Sequence, residues 1–429
     1  MGVTSTPVSR ALTVLVVGGG GREHALAWAV RQSPLVDRVI CAPGNPGTGL
    51  LGENREFAVS DSAGLTALAQ AERVDLVILG PDAAVAAGVG DALVAAGIRC
   101  FGPGREAGQL ESSKIYAKQV MQRAGVSTPA FEVFDDHLEA LEHLRRRGAP
   151  VVVKADGLAL GKGAFVCHTA DQAQEAVDFL LRRRELGSAG SRVLIEDCLV
   201  GEEASFFAIC DGETAVMLPP AHDYKRAFDQ DQGGNTGGMG SYAPAPPRGW
   251  RALNRRVLQE VVEPTLQEMI RLGAPYRGCL YVGAMLIGQE IQVLEFNARF
   301  GDPEIEVQLP LLPDPVPLLW QSAGGHLSDP DPEPRSGACV GVVAAREPYP
   351  DAVAPGGQVQ GIEEAERLGC QVFQMATRAG PGGGIEVGGG RVLICTALGR
   401  DQMAARAKAY SGLAAISFPG MRYRQDIGA

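Results

Sequence analysis

Short apolar runs alternate with amphipathic stretches through the first third of the chain. Leu12–Val17, Arg38–Cys41, Leu76–Leu79 and Arg99–Phe101 read as strands, while Arg22–Ser33, Ala63–Ala71 and Val85–Ala96 carry helical spacing. This βα rhythm predicts a parallel sheet covered on both faces, with ligands at the carboxyl ends of its strands. The loops at those ends are Gly18–Arg22, Pro43–Thr48, Gly80–Asp82 and Gly102–Gly104, all rich in glycine or proline.

The pattern then changes. Ser112 or Ser113 is placed to cap a helix running to about Ala124, which Gly125 and Pro129 end. A smaller α/β unit follows, with strands Phe131–Phe134, Val151–Ala155, Ala164–Cys167 and Arg192–Asp197, and helices Leu138–Arg147 and Ala170–Arg184. Strands are next expected near Ala204–Cys210, Thr214–Leu218, Cys279–Ile287 and Glu290–Phe296, with a long helix, Arg251–Arg271, that Pro264 should kink. Ser328–Ser336, proline-rich and charged, reads as a linker. Beyond it, strands Ala338–Ala345 and Val392–Ala397 and helix Asp401–Ser411 suggest a small α+β unit. The fold class is α/β and α+β multidomain. The expected domains are 1–112, 113–330 and 331–429.

Composition narrows the function. With 429 residues, 45% apolar and 21% charged, the chain is an ordinary globular protein of several domains. Its net charge of −11 argues against non-specific nucleic-acid binding. Nine cysteines stand singly with no CxxC, so buried reduced thiols are expected rather than disulfides or zinc. The apolar run Leu12–Val17 is too short for a signal peptide or a membrane span. A cytoplasmic protein without a membrane partner is expected.

Two segments carry the chemistry. Val151–Gly163, VVVKADGLALGKG, is an apolar strand ending in Lys154, followed by a glycine turn with Gly161, Lys162 and Gly163. Two lysines on such a backbone suit a polyphosphate, although the spacing is not that of a Walker loop. In Leu294–Glu304, LEFNARFGDPE, Glu295 and Asn297 lie two apart on a strand and face the same side. An acid and an amide there suit Mg²⁺. Together the two segments suggest an ATP-dependent enzyme.

Other segments admit two readings each. Gly18–His24, GGGGREH, either binds phosphate at a helix N-terminus or is a ligand-free turn; it does not match a dinucleotide fingerprint. Asn45 and Gly47 offer a weaker second anion loop. Val193–Glu203 offers main-chain groups of Glu196–Leu199 to an adenine edge and Glu203 to ribose hydroxyls, or else holds solvated acids. Ala221–Tyr242, with Asp223, Lys225, Arg226, Asn235 and Thr236, reads as an active-site lid or as a mobile loop. Arg299 either grips a substrate carboxylate or pairs with Asp302 or Glu304.

Taken in order, nine segments resemble the ATP-grasp superfamily and, within it, the phosphoribosylamine–glycine ligase family. They are GGGGREHALAW (18–28), APGNPGT (42–48), SSKIYAK (112–118), KADGLALGKG (154–163), GEEASFF (201–207), HDYKR (222–226), NTGGMGSYAP (235–244), EFNARFGDPE (295–304) and GGRVLICTALG (389–399). The resemblance implies an ATP-grasp fold with an N-terminal Rossmann-like domain and a small C-terminal domain. It implies ligation of glycine to 5-phosphoribosylamine through glycyl phosphate, using ATP and Mg²⁺, or in its place Mn²⁺. It puts Lys114, Lys154 and the Gly161–Gly163 turn on the phosphates; Glu196, Asp197 and Leu199 at adenine; Glu203 at ribose; and Glu295 and Asn297 on the metal. Arg299, Lys225, Arg226 and Asp223 would serve the reacting groups, and Gly20, Gly21, Arg22, Glu23, Asn45, Gly47, Thr48 and Asp302 the substrates.

Two departures from the family pattern are Asp82 in place of a glutamate and Gly234 in place of a proline. Alternatives are another ATP-grasp carboxylate–amine ligase, a nicotinamide enzyme suggested only by the βα start, and a non-catalytic nucleotide sensor. The sensor reading predicts loss of Lys154, Glu295 or Asn297, all of which are present. One activity is expected, in a monomer or weak homodimer.

Overall fold

The computed structural model describes residues 11–159, 163–246, 248–328 and 333–429. Gly161 and Lys162 of the expected turn, and residues 329–332 of the linker Ser328–Ser336, therefore lie outside the described residues.

The N-terminal part comprises β1 (Leu12–Gly18), α1 (Gly21–Arg31), β2 (Val36–Pro43), β3 (Glu53–Asn54), α2 (Ser62–Ala71), β4 (Leu76–Leu79), α3 (Asp82–Ala86), α4 (Val89–Ala95) and β5 (Arg99–Phe101). Its five strands form one parallel sheet in the order β3-β2-β1-β4-β5. The single helix expected over 85–96 is two. Gly88 sits at φ +78°, the left-handed region glycine tolerates, and breaks it.

Next come α5 (Gln109–Ser112), α6 (Lys114–Ala124), β6 (Phe131–Phe134), α7 (His137–Arg147), β7 (Val151–Ala155), β8 (Ala164–Cys167), α8 (Ala170–Val177) and β9 (Val193–Asp197). Strands β6-β9-β7-β8 form an antiparallel sheet with its own core, in which Leu141, Leu144, Ala173 and Val177 cover Val151, Val153 and Ile195. Ser113 caps α6 through its hydroxyl, and Gly125 closes it in the left-handed conformation.

The chain continues through β10 (Glu202–Asp211), β11 (Ala215–Met217), β12 (His222–Asp223), β13 (Arg226–Phe228), β14 (Gln232–Asn235), β15 (Gly240–Ala243), α9 (Trp250–Val257), α10 (Glu263–Arg271), β16 (Arg277–Ile287), β17 (Glu290–Asn297), α11 (Ile305–Gln308) and α12 (Val316–Gly324). Strands β11-β10-β16-β17 form a second antiparallel sheet. Apolar residues of α6, α9 and α10 pack on one of its faces. At Pro264 the long helix passes through a π turn, Leu258–Val262, which accommodates the missing N–H. The stretch 221–242 is not a structureless loop. It forms the β13–β14 hairpin and supplies β12 and β15 to another sheet.

That sheet belongs mainly to the last segment: β18 (Ala338–Arg346), α13 (Ile362–Arg367), β19 (Gln371–Gln374), β20 (Thr377–Ala379), β21 (Ile385–Val387), β22 (Arg391–Gly399), α14 (Gln402–Leu413) and β23 (Met421–Arg422). Its order is β12-β15-β18-β22-β19 with β23 on β18, so residues from the middle of the chain complete the C-terminal sheet.

Candidate active site

The site is built where β7 of one antiparallel sheet meets the end of β17 of the other. On β17 the register with β16 shifts between Gly283 and Ala284, leaving Leu294 as the extra residue of a bulge. Lys154 Nζ, from β7, donates to the Leu294 carbonyl at 3.1 Å. The next residue, Glu295, is 3.2 Å from Lys114 Nζ at the start of α6. Lys114, Lys118, Lys154 and Glu295 line one small cavity floored by Leu294 and Phe296. The two halves singled out in the sequence therefore do converge.

Charge is organised in pairs around that cavity. Lys154 and Lys118 both pair with Glu196, which is 1% exposed; the Lys118 contact is 2.8 Å. Burial opposes ionisation of Glu196, and the two lysines outweigh it, holding the carboxyl below its ordinary range. Burial pulls the Lys118 ammonium down to about 8. Burial likewise opposes Glu295, but Lys114, Lys225 and Lys154 hold its carboxyl far below the usual carboxylate range. Lys225 pairs with Glu203.

Glu295, an ionised carboxylate, and Asn297, an amide, alternate onto the same face of β17. Among the described residues no group of three or more His, Cys, Asp or Glu could hold a metal. Two protein oxygens fit a Mg²⁺ that takes its remaining ligands from phosphates and water.

Arg299 does not pair with Asp302 or Glu304 as the structural reading of the sequence allowed. Its Nη2 lies 3.1 Å from Glu111 Oε1, and its Nη1 donates to Phe300 O at 3.1 Å. Asp302 pairs instead with Arg391 of β22, at 2.9 Å. Arg391 Nη1 also reaches the Asp302 and Gly238 carbonyls, so the C-terminal segment braces this side of the site.

At the N-terminal sheet, Glu23 reaches back to Gly20 N at 2.7 Å and pairs with Arg22 at 2.7 Å. A Cβ at Gly21 would lie 2.6 Å from Glu306 Oε1, which explains the glycine there. Asn45 spends its side chain on protein. It donates to Gly19 O and Gln374 O and accepts from Thr48 N. The buried Thr48 hydroxyl bonds Asn45 and Asn54. Gly47 packs against the His24 ring.

The remaining residues are more dispersed. The Asp197 carboxylate pairs with Arg147 and its N–H donates to Ala130 O, while Leu199 is half-buried. Gly163 O accepts from Ala155 N at 2.8 Å, closing the β7–β8 turn; Gly161 and Lys162 lie outside the described residues. Arg226 turns to the β13–β14 hairpin, donating to Gly233 O. Asp223 lies inside β12, where burial and neighbouring Glu304 push its carboxyl well up.

Sequence reasoning missed Glu111, Lys118, Asp156 and Arg391. One signal was available for Lys118. It follows Lys114 by four residues on a helix, so both share a face.

All nine cysteines are free thiols. Among the described residues, no helix is long and apolar enough to cross a membrane.

Comparison with known proteins shows the family to which the chain belongs. Family models described as the N, ATP-grasp (A) and C domains of phosphoribosylglycinamide synthetase match residues 12–111, 112–305 and 339–429. The chain is 46% identical to a phosphoribosylamine–glycine ligase of Caulobacter vibrioides over 97% of its own length and 98% of that protein. Its structure is similar to that of the phosphoribosylamine–glycine ligase of Thermotoga maritima, with TM-score 0.85 and 33% identity over 97% of this chain and 100% of that one. It also resembles the biotin carboxylase domain of a Hydrogenobacter thermophilus 2-oxoglutarate carboxylase, solved with MgADP and bicarbonate. There the TM-score is 0.75 at 16% identity, covering 97% of this chain and 92% of that one, a likeness of fold alone.

Proposed function

The chain belongs to the phosphoribosylamine–glycine ligase family, and from that premise we propose how its residues divide the work. The reaction joins glycine to 5-phosphoribosylamine through glycyl phosphate, converting ATP to ADP and phosphate, in purine biosynthesis. ATP-grasp ligases of this kind use a divalent metal.

In our reading, Lys114, Lys154 and Lys162 hold the phosphates. Main-chain groups of Glu196–Leu199 face adenine, and Glu203 takes the ribose hydroxyls. Glu295 and Asn297 would hold Mg²⁺, with Mn²⁺ as a substitute. The metal, when bound, would neutralise phosphate charge. The glycine carboxylate attacks the γ-phosphate, so two anions must approach each other. Positioning and charge neutralisation are then the main demands on the protein. Arg299 lies beside Asn297 and serves the glycine carboxylate and the acyl phosphate. Gly20–Glu23, Asn45–Thr48 and Asp302 frame the phosphoribosylamine, with Asn45 and Thr48 acting by shaping their loop. Asp223, Lys225 and Arg226 close over the reacting groups. The Glu203–Lys225 pair parts when each takes its ligand.

Glycyl phosphate must be kept from water, and the unit near 125–190 is the lid that does so. We take the domains as 1–112, 113–330 and 331–429, and the enzyme as a cytoplasmic monomer or weak homodimer.

The observation that carries this reading is the shared cavity of Lys114, Lys154 and Glu295. The test is ADP release. It should require both glycine and phosphoribosylamine; equal release with another acid–amine pair would reject the substrate assignment. Retention of turnover by Glu295→Ala at ordinary Mg²⁺ would reject the metal assignment.

A further inference from the structure

Glu111 lies outside every role assigned above, yet its carboxylate is spent entirely on the strand end that carries the chemistry. It stands in the short helix α5 and is buried. Oε2 accepts from Ala298 N at 2.8 Å and Oε1 pairs with Arg299 Nη2 at 3.1 Å. The β16–β17 ladder stops at Asn297, so Ala298 N has no strand partner and a side chain satisfies it instead. Three residues further along, Lys114 meets Glu295. The segment 111–114 thus grips both ends of 295–299 from one side. On Arg299 the pair with Glu111 occupies part of a five-donor fork and fixes the plane of the rest.

We infer that Glu111 is a positioning residue of the ligase reaction. It orients the Arg299 guanidinium toward the reacting carboxylate and fixes the backbone just beyond Glu295 and Asn297. This rests on the role proposed for Arg299. An arginine on a flexible stem, left unpaired, would lose alignment with an oxyanion that develops only during reaction. Glutamine at this position keeps an acceptor for Ala298 N, but its NH₂ group faces the guanidinium donor to donor. Aspartate keeps the charge on a shorter stem.

The experiment is a double-mutant cycle on the full-length enzyme with steady-state kinetics. Glu111→Gln should lower kcat about tenfold or more while KM for ATP stays within about twofold. Glu111→Asp should recover part of the loss. In an Arg299→Ala background, Glu111→Gln should cost less than about twofold, since the group it orients is gone. Full multiplicative losses in the double variant, or wild-type kcat in Glu111→Gln when Arg299→Ala is impaired, would overturn the inference and leave the Arg299 role standing. Unimpaired Arg299→Ala would instead remove the reading beneath it. If Glu111→Gln does not fold, Glu111→Asp carries the same cycle, with a smaller loss that must likewise vanish beside Arg299→Ala.

Discussion

Glu196 and Glu295 are both carboxylates beside lysines, yet their environments predict opposite consequences. Glu196 is sealed between Lys154 and Lys118. Glu196→Gln leaves two buried ammonium groups without compensation and should cost about 3–5 kcal/mol in chemical denaturation. Glu295 is about a third exposed and opens on the cavity. Glu295→Ala should keep a near-native melting temperature and lose about a hundredfold or more in turnover. Glu295, Asn297 and Lys154 were legible in the sequence because polar groups ending apolar strands need a partner. Glu111 was not. Its partner Ala298 N is 187 residues away, and nothing local marks an acid in a four-residue helix as buried.

Helix α6 shows how an element, rather than a residue, holds the site. Asp156, just after β7, accepts from Ser113 Oγ and Ile115 N, and its main-chain oxygen accepts from Lys114 N. The β6-β9-β7-β8 sheet thereby grips the helix end that presents Lys114. Ser113→Ala removes both the cap bond from Tyr116 N and the bond to Asp156, and should cost about 1–2 kcal/mol of stability in a denaturant titration, with a raised KM for ATP. An unchanged KM would show that the cap does not position Lys114. Most expected strands and helices of the first two hundred residues appear within a few positions, because their apolar periods are strong; the exceptions are 85–96, broken at Gly88, and Ala170–Arg184, whose α-helix stops at Val177 and passes into a π turn. The strands inside 221–242 went unread for a physical reason. They are short, polar and glycine-rich; β15 exists only because β18, a hundred or so residues later, offers it an edge, and β12 in turn pairs on β15.

The separate pieces of the molecule are tied together through α1 and the C-terminal sheet. His24 Nδ1 accepts from Gln374 N at 2.8 Å, and its ring meets Phe373 edge-on. Burial lowers the His24 pKa from 6.5 to about 4. The unfolded chain then binds the extra proton between those values, so stability from this group is full above 6.5 and is lost as pH falls toward 4. The shift corresponds to about 3 kcal/mol. His24→Asn should flatten the acid limb of a stability–pH curve, and an unchanged slope would discount the shift. The proposed lid makes another expectation at this scale. Hydrogen exchange in β6–β9 should slow when ATP, glycine and Mg²⁺ are added together; protection confined to β16 and β17 would argue for a fixed lid.

The chain by itself determined its alternating layers, the strand that ends in Lys154 and the acid–amide strand end, since periodicity and local polarity are written in neighbouring residues. Tertiary structure alone decided which charges are neutralised by which. Arg299 is held by Glu111 rather than by the acids beside it, Asp302 by Arg391, and Lys154 by Glu196. The reason is that an ion pair is chosen by distance and burial in three dimensions, and neither is a function of sequence separation.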